Sequence, residues 1–254
     1  MTNLSMKTQV LIIRALCVVI AVYGVTVYGF EVRHFFMAAA GFYIFTRIGG
    51  DVGFHRYFCH QSFRTNRFSE ISLLVLGTLA NIGSSLTWVG AHHAHHAHSD
   101  REGDPHSPSR IGVYRVFALK WDEFHFSVSS FRKLPNKKIH TFFHKHYLET
   151  VLIFMILLGL LSFEVLVYFY AVAIVYSFFA TGIVNTVGHL WGYRNFDTND
   201  NSRNNLLVHL FSLGGGMHNN HHAYPARYDY SATHWYEIDP AAIFIRLFLL
   251  KRGH

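Results

Sequence analysis

Residues 10–30, VLIIRALCVVIAVYGVTVYGF, carry a single charge, Arg14, in an otherwise apolar run. About 20 such residues cross the hydrocarbon core of a bilayer as a helix. Within lipid, only helices and closed barrels satisfy every backbone N–H and C=O. The run follows Lys7 and so begins like a signal peptide, but it is too long for the apolar core of one and further apolar runs follow. It reads as a first transmembrane helix, with Arg14 reaching back toward the headgroups. FFMAAAGFYIFTRIGG (35–50) reads as a second. The stretch from Leu148 to Gly188 holds roughly two spans and breaks at LLSFEV, where Ser162 and Glu164 mark a turn. The expected spans are therefore about 10–30, 35–50, 148–162 and 165–188. The composition agrees: 51% of the chain is hydrophobic and 15% charged, more apolar than an ordinary soluble domain, with 24 Phe and 14 Tyr for lipid-facing and interfacial surface.

One further segment, ISLLVLGTLANIGSSLTWVGA (71–91), is apolar in its first half and carries Asn81, Ser84 and Ser85 in its second. It either crosses the membrane or lies on one face. Parity decides between these. Histidines cluster in FHRYFCH (54–60), AHHAHHAH (91–98) and MHNNHHAYP (217–225). If 71–91 crossed, the first cluster would be separated from the second by the membrane. If it stays at one face, all three clusters and both termini lie together. Charge placement favours the second arrangement. Of 22 Lys and Arg, 13 fall between Arg47 and Lys145 and 6 from Arg194 onward, whereas the short loops at 31–34 and 162–165 contain only Arg33. The positive-inside rule then places the histidine face in the cytoplasm.

The net charge of +7, with 20 histidines counted as neutral, suits anionic headgroups. No stripe of Lys and Arg interleaved with aromatics points to nucleic acid. No internal repeat and no linker divides the chain, so residues 1–254 read as one membrane-bound domain. Cys17 and Cys59 read as reduced thiols, with Cys59 open as a further metal ligand.

Neutral imidazole binds iron, copper and zinc. Positions i, i+3 and i+4 share one helix face, so His92, His95 and His96 converge, as do His218, His221 and His222. His55 and His60 are five apart, about 140° around an α-helix, and would meet only at a fraying helix end. These eight candidates suffice for two metals. A zinc hydrolase needs about three protein ligands and a water, and soluble di-iron bundles use Glu and Glu-x-x-His, which are missing at these positions. An oxygen-activating di-iron centre held by histidines fits better. A metal transporter would place ionisable groups inside the spans, and these spans contain almost none.

The motifs GFHRYFCH, WVGAHHAHHAHSDREGDPHSP, NTVGHLWGYRNFDTNDNSRNN and GGGMHNNHHAYP resemble those of the membrane-bound fatty acyl desaturases, the Δ9 branch in particular and bacterial members above all. The match runs from about residue 35 to 240. The resemblance implies an all-α integral membrane protein of four transmembrane helices, a membrane-associated helix, and a cytoplasmic helical cap holding a histidine-ligated di-iron site. It implies a ninth ligand, His189, and Asn185 as holder of a metal-bound water; these are i and i+4 near the end of the fourth span. It also implies that Asp104 and His106, in GDPHSP, act from behind the ligands. The other unassigned histidines are 34, 93, 98, 125, 140, 144, 146, 209, 234 and 254; 140, 144 and 146 read as a solvated or headgroup-facing patch.

The activity so implied uses two Fe2+ ions and O2 to insert a cis double bond, Δ9 by branch, into a saturated acyl chain, with oxygen leaving as water. Unactivated methylenes offer no handle, so regioselectivity falls to an apolar tunnel of fixed depth. Trp88-Val89-Gly90-Ala91 precedes the second box where animal acyl-CoA enzymes carry Trp-Ala-Arg-Asp. This favours a glycerolipid-linked substrate, with acyl-CoA or acyl carrier protein thioesters open. The chain ends soon after the last box, so electrons are expected from a separate ferredoxin or small haem cytochrome docked on the basic face. The expected location is the bacterial inner membrane. The competing reading is a related di-iron hydroxylase or ketolase of an alkyl, sterol or carotenoid substrate; the GYRNFD and GDPH flanks favour the desaturase.

Overall fold

The computed structural model describes residues 4–118, 131, 134–231 and 234–250. His125 and His254 lie outside the described residues. Among the described residues no β-strand forms, and extended pairing is limited to the isolated bridges Tyr193–Asn204 and Asn204–Met217. The chain is all-helical. It begins with α1 (Met6–Tyr28), α2 (Val32–Gly41) and a π-helical segment, π1 (Phe42–Cys59). Next come α3 (Arg67–Leu79), α4 (Ser85–His98), α5 (Pro108–Ile111) and α6 (Val113–Phe117). Then follow α7 (Lys137–Lys145), α8 (Tyr147–Leu161), α9 (Phe163–Val165), π2 (Leu166–Val172) and α10 (Ala173–Leu190). Last are α11 (Leu206–Phe211), α12 (His218–Ala223), α13 (Pro240–Phe244) and π3 (Ile245–Leu249).

By length and composition, Met6–Tyr28 and Phe163–Leu190 can cross a membrane, and a third span arises if Lys137–Lys145 and Tyr147–Leu161, bent by 73°, act as one. The stretch expected as a second span, 35–50, is helical but divided between α2 and π1, and is not among these. Segment 71–91 is not one helix. It breaks between α3 and α4, where Asn81 (φ 56°) and Gly83 (φ 92°) turn through the left-handed region.

The described chain forms two compact units. The first comprises Met1–Gly53, Ile71–Trp88 and Pro135–Phe178. In it α1 and α2 pack on π2, and α1 also on α8. Close approach dictates glycine at position 41, where a Cβ would stand 1.7 Å from the Phe169 carbonyl oxygen. Outward faces are strongly apolar: Val19 and Val22 on α1 are 65% and 62% exposed, Leu160 and Leu161 on α8 79% and 84%. Such a surface suits lipid and not water. The two short loops meet at Glu164, whose Oε1 is 3.1 Å from Arg33 Nη2 and 2.8 Å from His34 Nε2.

Of the expected solvated patch His140, His144 and His146, the last two are half-buried and His140 is fully buried. His140 is buried with Nδ1 2.7 Å from Ser85 Oγ, and His144 Nδ1 is 2.7 Å from Ser84 Oγ. Their i, i+4 spacing turns both rings toward the start of α4, while Lys137, Lys138 and Lys145 take the exposed face.

The second unit comprises Phe54–Glu70, Val89–Leu134 and Phe179–His254. It contains all the histidine boxes. Arg56, at the end of π1, is fully buried and clamps the C-terminal segment. Its Nη1 and Nη2 donate to Asp239 Oδ2 and Oδ1 at 2.7 and 3.2 Å, Nη1 also donates to the Tyr228 carbonyl, and the guanidinium lies 4.2 Å over the Tyr230 ring.

Candidate metal centre

His55 and His60 share a face because their segment is π-helical. The His60 N–H donates to the His55 carbonyl at 3.0 Å, an i to i+5 bond, and this wider turn returns the fifth residue to the side of the first. The α-helical angle of about 140° does not apply there. His92, His95 and His96 project from α4, and His189 lies in the last turn of α10. His218, His221 and His222 project from α12.

The asparagines inside the third box hold that short helix in place. Asn219 Oδ1 accepts the backbone N–H groups of Asn195 and Phe196, both at 2.9 Å. Asn220 Oδ1 accepts from Asn195 and Asn204 side chains at 2.9 and 2.7 Å, and its amide donates to Glu237 at 3.1 Å. Asn204, Asn219, Asn220 and Glu237 are all buried, so the network is internal and closed.

All nine histidines singled out from the sequence converge in two adjoining groups. The first is His55, His60, His92, His96 and His221; the second is His95, His189, His218 and His222; within each, the candidate ligand atoms lie within 4.8 Å of one another. Nε2 atoms face each other at 3.0 Å for His60–His92 and His92–His96, 2.8 Å for His96–His221, 3.1 Å for His55–His221 and 2.9 Å for His189–His218. Nitrogens about 2.1 Å from one ion and at right angles to each other stand about 3.0 Å apart. The groups meet where the His96 and His222 rings stack at 4.6 Å. Cys59 belongs to neither group, and both cysteines are free and buried.

Three carboxylates back the second group, of which the sequence singles out Asp104 alone. The Nδ1–H of His189 donates to Asp100 at 2.8 Å, that of His222 to Asp200 at 2.7 Å, and that of His95 to both oxygens of Asp104 at 3.0 Å. This fixes the tautomer and leaves Nε2 with a lone pair. His106 stacks on His95 at 4.4 Å. Asn185 is half-buried one turn before His189.

The residues fit a metal. His222 Nε2 is buried without a hydrogen-bond partner. Among the described residues, the only ion-pair partners of Asp100, Asp104 and Asp200 are histidines. Burial, and then the charge of neighbouring imidazoles, holds His60, His92, His96, His218 and His221 well below the ordinary value of 6.5. Burial takes His222 to about 4 although Asp200 opposes it. Burial raises the Asp100 and Asp200 carboxyls, but their histidine partners and other hydrogen-bond donors outweigh it and hold both below the carboxylate range. Asp100, Asp104 and Asp200 thus place three carboxylates directly behind imidazoles that could ligate a cation.

The same shifts predict acid lability of the metal-free protein. An imidazole whose folded value lies below 6.5 is protonated first in the unfolded chain. Stability is therefore complete above 6.5 and falls as pH drops below it, by about 1.4 kcal/mol per pH unit for each group. Denaturant midpoints at pH 7.5, 6.5 and 5.5 should decline steeply over the last step. A flat profile would mean that these rings are protonated in the fold.

These donors and spacings define an apolar helical protein carrying two adjoining imidazole groups of metal-site geometry. Residues 32–253 match the fatty acid desaturase family. The chain is 33% identical to the sn-1 stearoyl-lipid 9-desaturase of Anabaena variabilis, over 87% of this chain and 84% of that protein. It is 35% identical to the sn-2 palmitoyl-lipid 9-desaturase of Nostoc sp. (strain 36), over 78% and 72%. It is 30% identical to an acyl-CoA C20 Delta5-desaturase of Anemone leveillei, over 86% and 72%. The chain belongs to the fatty acid desaturase family of membrane oxidoreductases.

Proposed function

We propose that this protein inserts a cis Δ9 double bond into a saturated acyl chain carried on a glycerolipid. The observation that carries the reading is the convergence of nine imidazoles in two groups, in a chain of this family. His55, His60, His92, His96 and His221 would hold one iron; His95, His189, His218 and His222 the other, with Asn185 holding a metal-bound water and Asp104 and His106 behind His95. Two ferrous ions so held supply, with O2 and two electrons, the oxidising power to remove one hydrogen from each of two adjacent methylenes. The protein supplies the rest: neutral imidazoles, a fixed tautomer, and apolar walls that exclude water and hold the acyl chain in register. The lipid-linked substrate is supported by the names of the two cyanobacterial relatives. The uncharged Val89-Gly90-Ala91 before the second box also supports it. Electrons come from a separate ferredoxin or small haem cytochrome.

The proposed topology has four spans, with the histidine cap and both termini in the cytoplasm at a bacterial inner membrane. The meeting of the two short loops at Glu164 supports it, as does the broken 71–91 segment, which stays at one face. Single cysteines at two exposed sites, Arg64→Cys and Glu102→Cys, should label from the same side of sealed vesicles. Labelling from opposite sides would refute the parity argument.

Mass spectrometry of the lipids of a bacterial host tests the reaction. Cells with the iron-loaded protein and a matching donor should gain a Δ9 monounsaturated isomer in intact glycerolipids, absent with His96→Ala. An oxygenated product would show a hydroxylase. A new isomer confined to thioesters, or a double bond at Δ5, would move the assignment toward the headgroup and position in the Anemone enzyme's name.

A further inference from the structure

The helix formed by α13 and π3, Pro240–Leu249, is apolar on both of its sides. Ala241, Ala242, Ile245 and Leu249 are buried, while Leu247 and Phe248 are each 68% exposed. A helix that faces water carries polar and charged residues on its outer side. On this one the only polar residue among the exposed positions is Arg246. Ten residues at 1.5 Å each reach about 15 Å, half the thickness of a hydrocarbon core, so the helix is too short to cross a bilayer.

Both ends of the helix are pinned. Asp239 Oδ1 accepts the Ala242 N–H at 3.1 Å as an N-cap, Oδ2 accepts the Tyr230 N–H at 2.9 Å, and the same carboxylate holds Arg56, the residue after His55. At the other end Thr65 Oγ1 donates to the Leu249 carbonyl at 2.7 Å. Cations border the same region. Arg246 pairs with Asp229 at 2.8 Å and Arg67 with Glu70 at 2.6 Å. In each pair the cation is outermost, 60% exposed against 27% and 52% against 13%. Arg64, also exposed, precedes Thr65, and Lys251 and Arg252 follow the helix in sequence.

We infer that Pro240–Leu249 is a membrane-surface anchor, whose outer side lies in the interface of a bilayer with anionic headgroups. Leu247 and Phe248 enter the upper acyl chains, and Arg64, Arg67 and Arg246 meet the phosphates. An apolar face with a cationic margin is the chemistry that binds such a surface. A second copy of the chain is a poorer occupant, because the cationic margins of two identical faces would meet and repel. A soluble electron donor is poorer too, because each departure would return two large apolar side chains to water. Since Asp239 joins this helix to Arg56 and so to the first histidine box, the anchor sets the height of that box over the lipid that supplies the acyl chain. The inference rests on the reading of the chain as membrane-spanning.

The test places nitroxide labels on the full-length protein in lipid nanodiscs. Leu247→Cys and Phe248→Cys are labelled one at a time, with the unsubstituted chain, whose two cysteines are buried, as the blank. Relaxation of each label by dissolved O2, which concentrates among acyl chains, is compared with relaxation by a water-soluble nickel chelate. The O2-to-nickel ratio at both positions should exceed that at Glu102→Cys, on an exposed loop, several-fold, and should approach that at Leu160→Cys on the apolar surface of α8. Replacing part of the phosphatidylcholine by phosphatidylglycerol should raise the ratio further, and Arg64→Gln with Arg246→Gln should remove most of that increment. In the unsubstituted chain, photolysis of a phosphatidylglycerol with a diazirine in its acyl chain should mark the 240–250 segment, read by peptide mass spectrometry. Ratios at 247 and 248 equal to that at 102 would overturn the inference by showing a water-facing helix. Weak relaxation by both reagents would overturn it in favour of a protein partner. A ratio indifferent to phosphatidylglycerol would overturn the choice of an anionic surface. A Leu160→Cys label as open to nickel as the one at 102 would overturn instead the membrane-spanning reading on which the inference rests.

Discussion

Replacing His96 with alanine should abolish desaturation and leave the protein with less than its full iron. His96 occupies the seam of the centre. Its Nε2 lies 3.0 Å from that of His92 and 2.8 Å from that of His221, and its ring stacks on His222 of the other group at 4.6 Å. Removing it opens one ligand set and loosens the side of the other. The expected loss of rate is about 1,000-fold or more, or roughly 4 kcal/mol of barrier. Product should be measured by mass spectrometry of lipids and iron by elemental analysis of the purified protein. His221→Ala should behave alike, since His221 faces both His55 and His96. His98→Ala, an exposed histidine on the same helix, is the control and should retain iron and product. Full activity in His96→Ala would end the reading of a shared centre.

The largest loss of stability is expected at a residue outside every histidine box. Asp239→Ala removes a carboxylate that accepts from both Nη atoms of Arg56, whose side chain is 1% exposed. Breaking a buried ion pair by removing one member costs about 3–5 kcal/mol. Iron should fall as well, because Arg56 is the neighbour of His55 and lies over Tyr230, whose ring is 4.9 Å from that of His221. The double change Arg56→Met with Asp239→Leu removes both charges and should recover most of the denaturant midpoint, since apolar replacements of a buried pair are often neutral or better. A single Asp239→Ala costing under about 1 kcal/mol would mean that the pair is solvated, as exposed pairs of that value are.

Much of the chain was legible from local pattern. The apolar run 10–30 corresponds to Met6–Tyr28, and the split at Ser162 separates Tyr147–Leu161 from Phe163–Leu190. Run length and composition make such helices readable because lipid leaves the backbone no alternative. The second and third boxes were readable too, since i, i+3 and i+4 positions converge on any α-helix. The pair His55 and His60 was not, because a π-helical turn obeys a different period and nothing in FHRYFCH announces it. His189 and Asn185 came only through resemblance. Asp100 and Asp200 lay in quoted motifs, but an acidic residue in a polar loop looks the same whether it faces water or an imidazole.

The sequence by itself determined the helical, membrane-suited character of the chain, the two imidazole triplets, and their kinship with the desaturases. Each of these rests on periodicity, run length or motif, properties that neighbouring residues settle among themselves. Only the tertiary structure decided the division of nine histidines into a group of five and a group of four, and the pairing of His189 with Asp100 across 89 residues and of Arg56 with Asp239 across 183. Those contacts depend on the path of the whole chain. A buried charge stays where it is only because a partner from a distant segment arrives beside it.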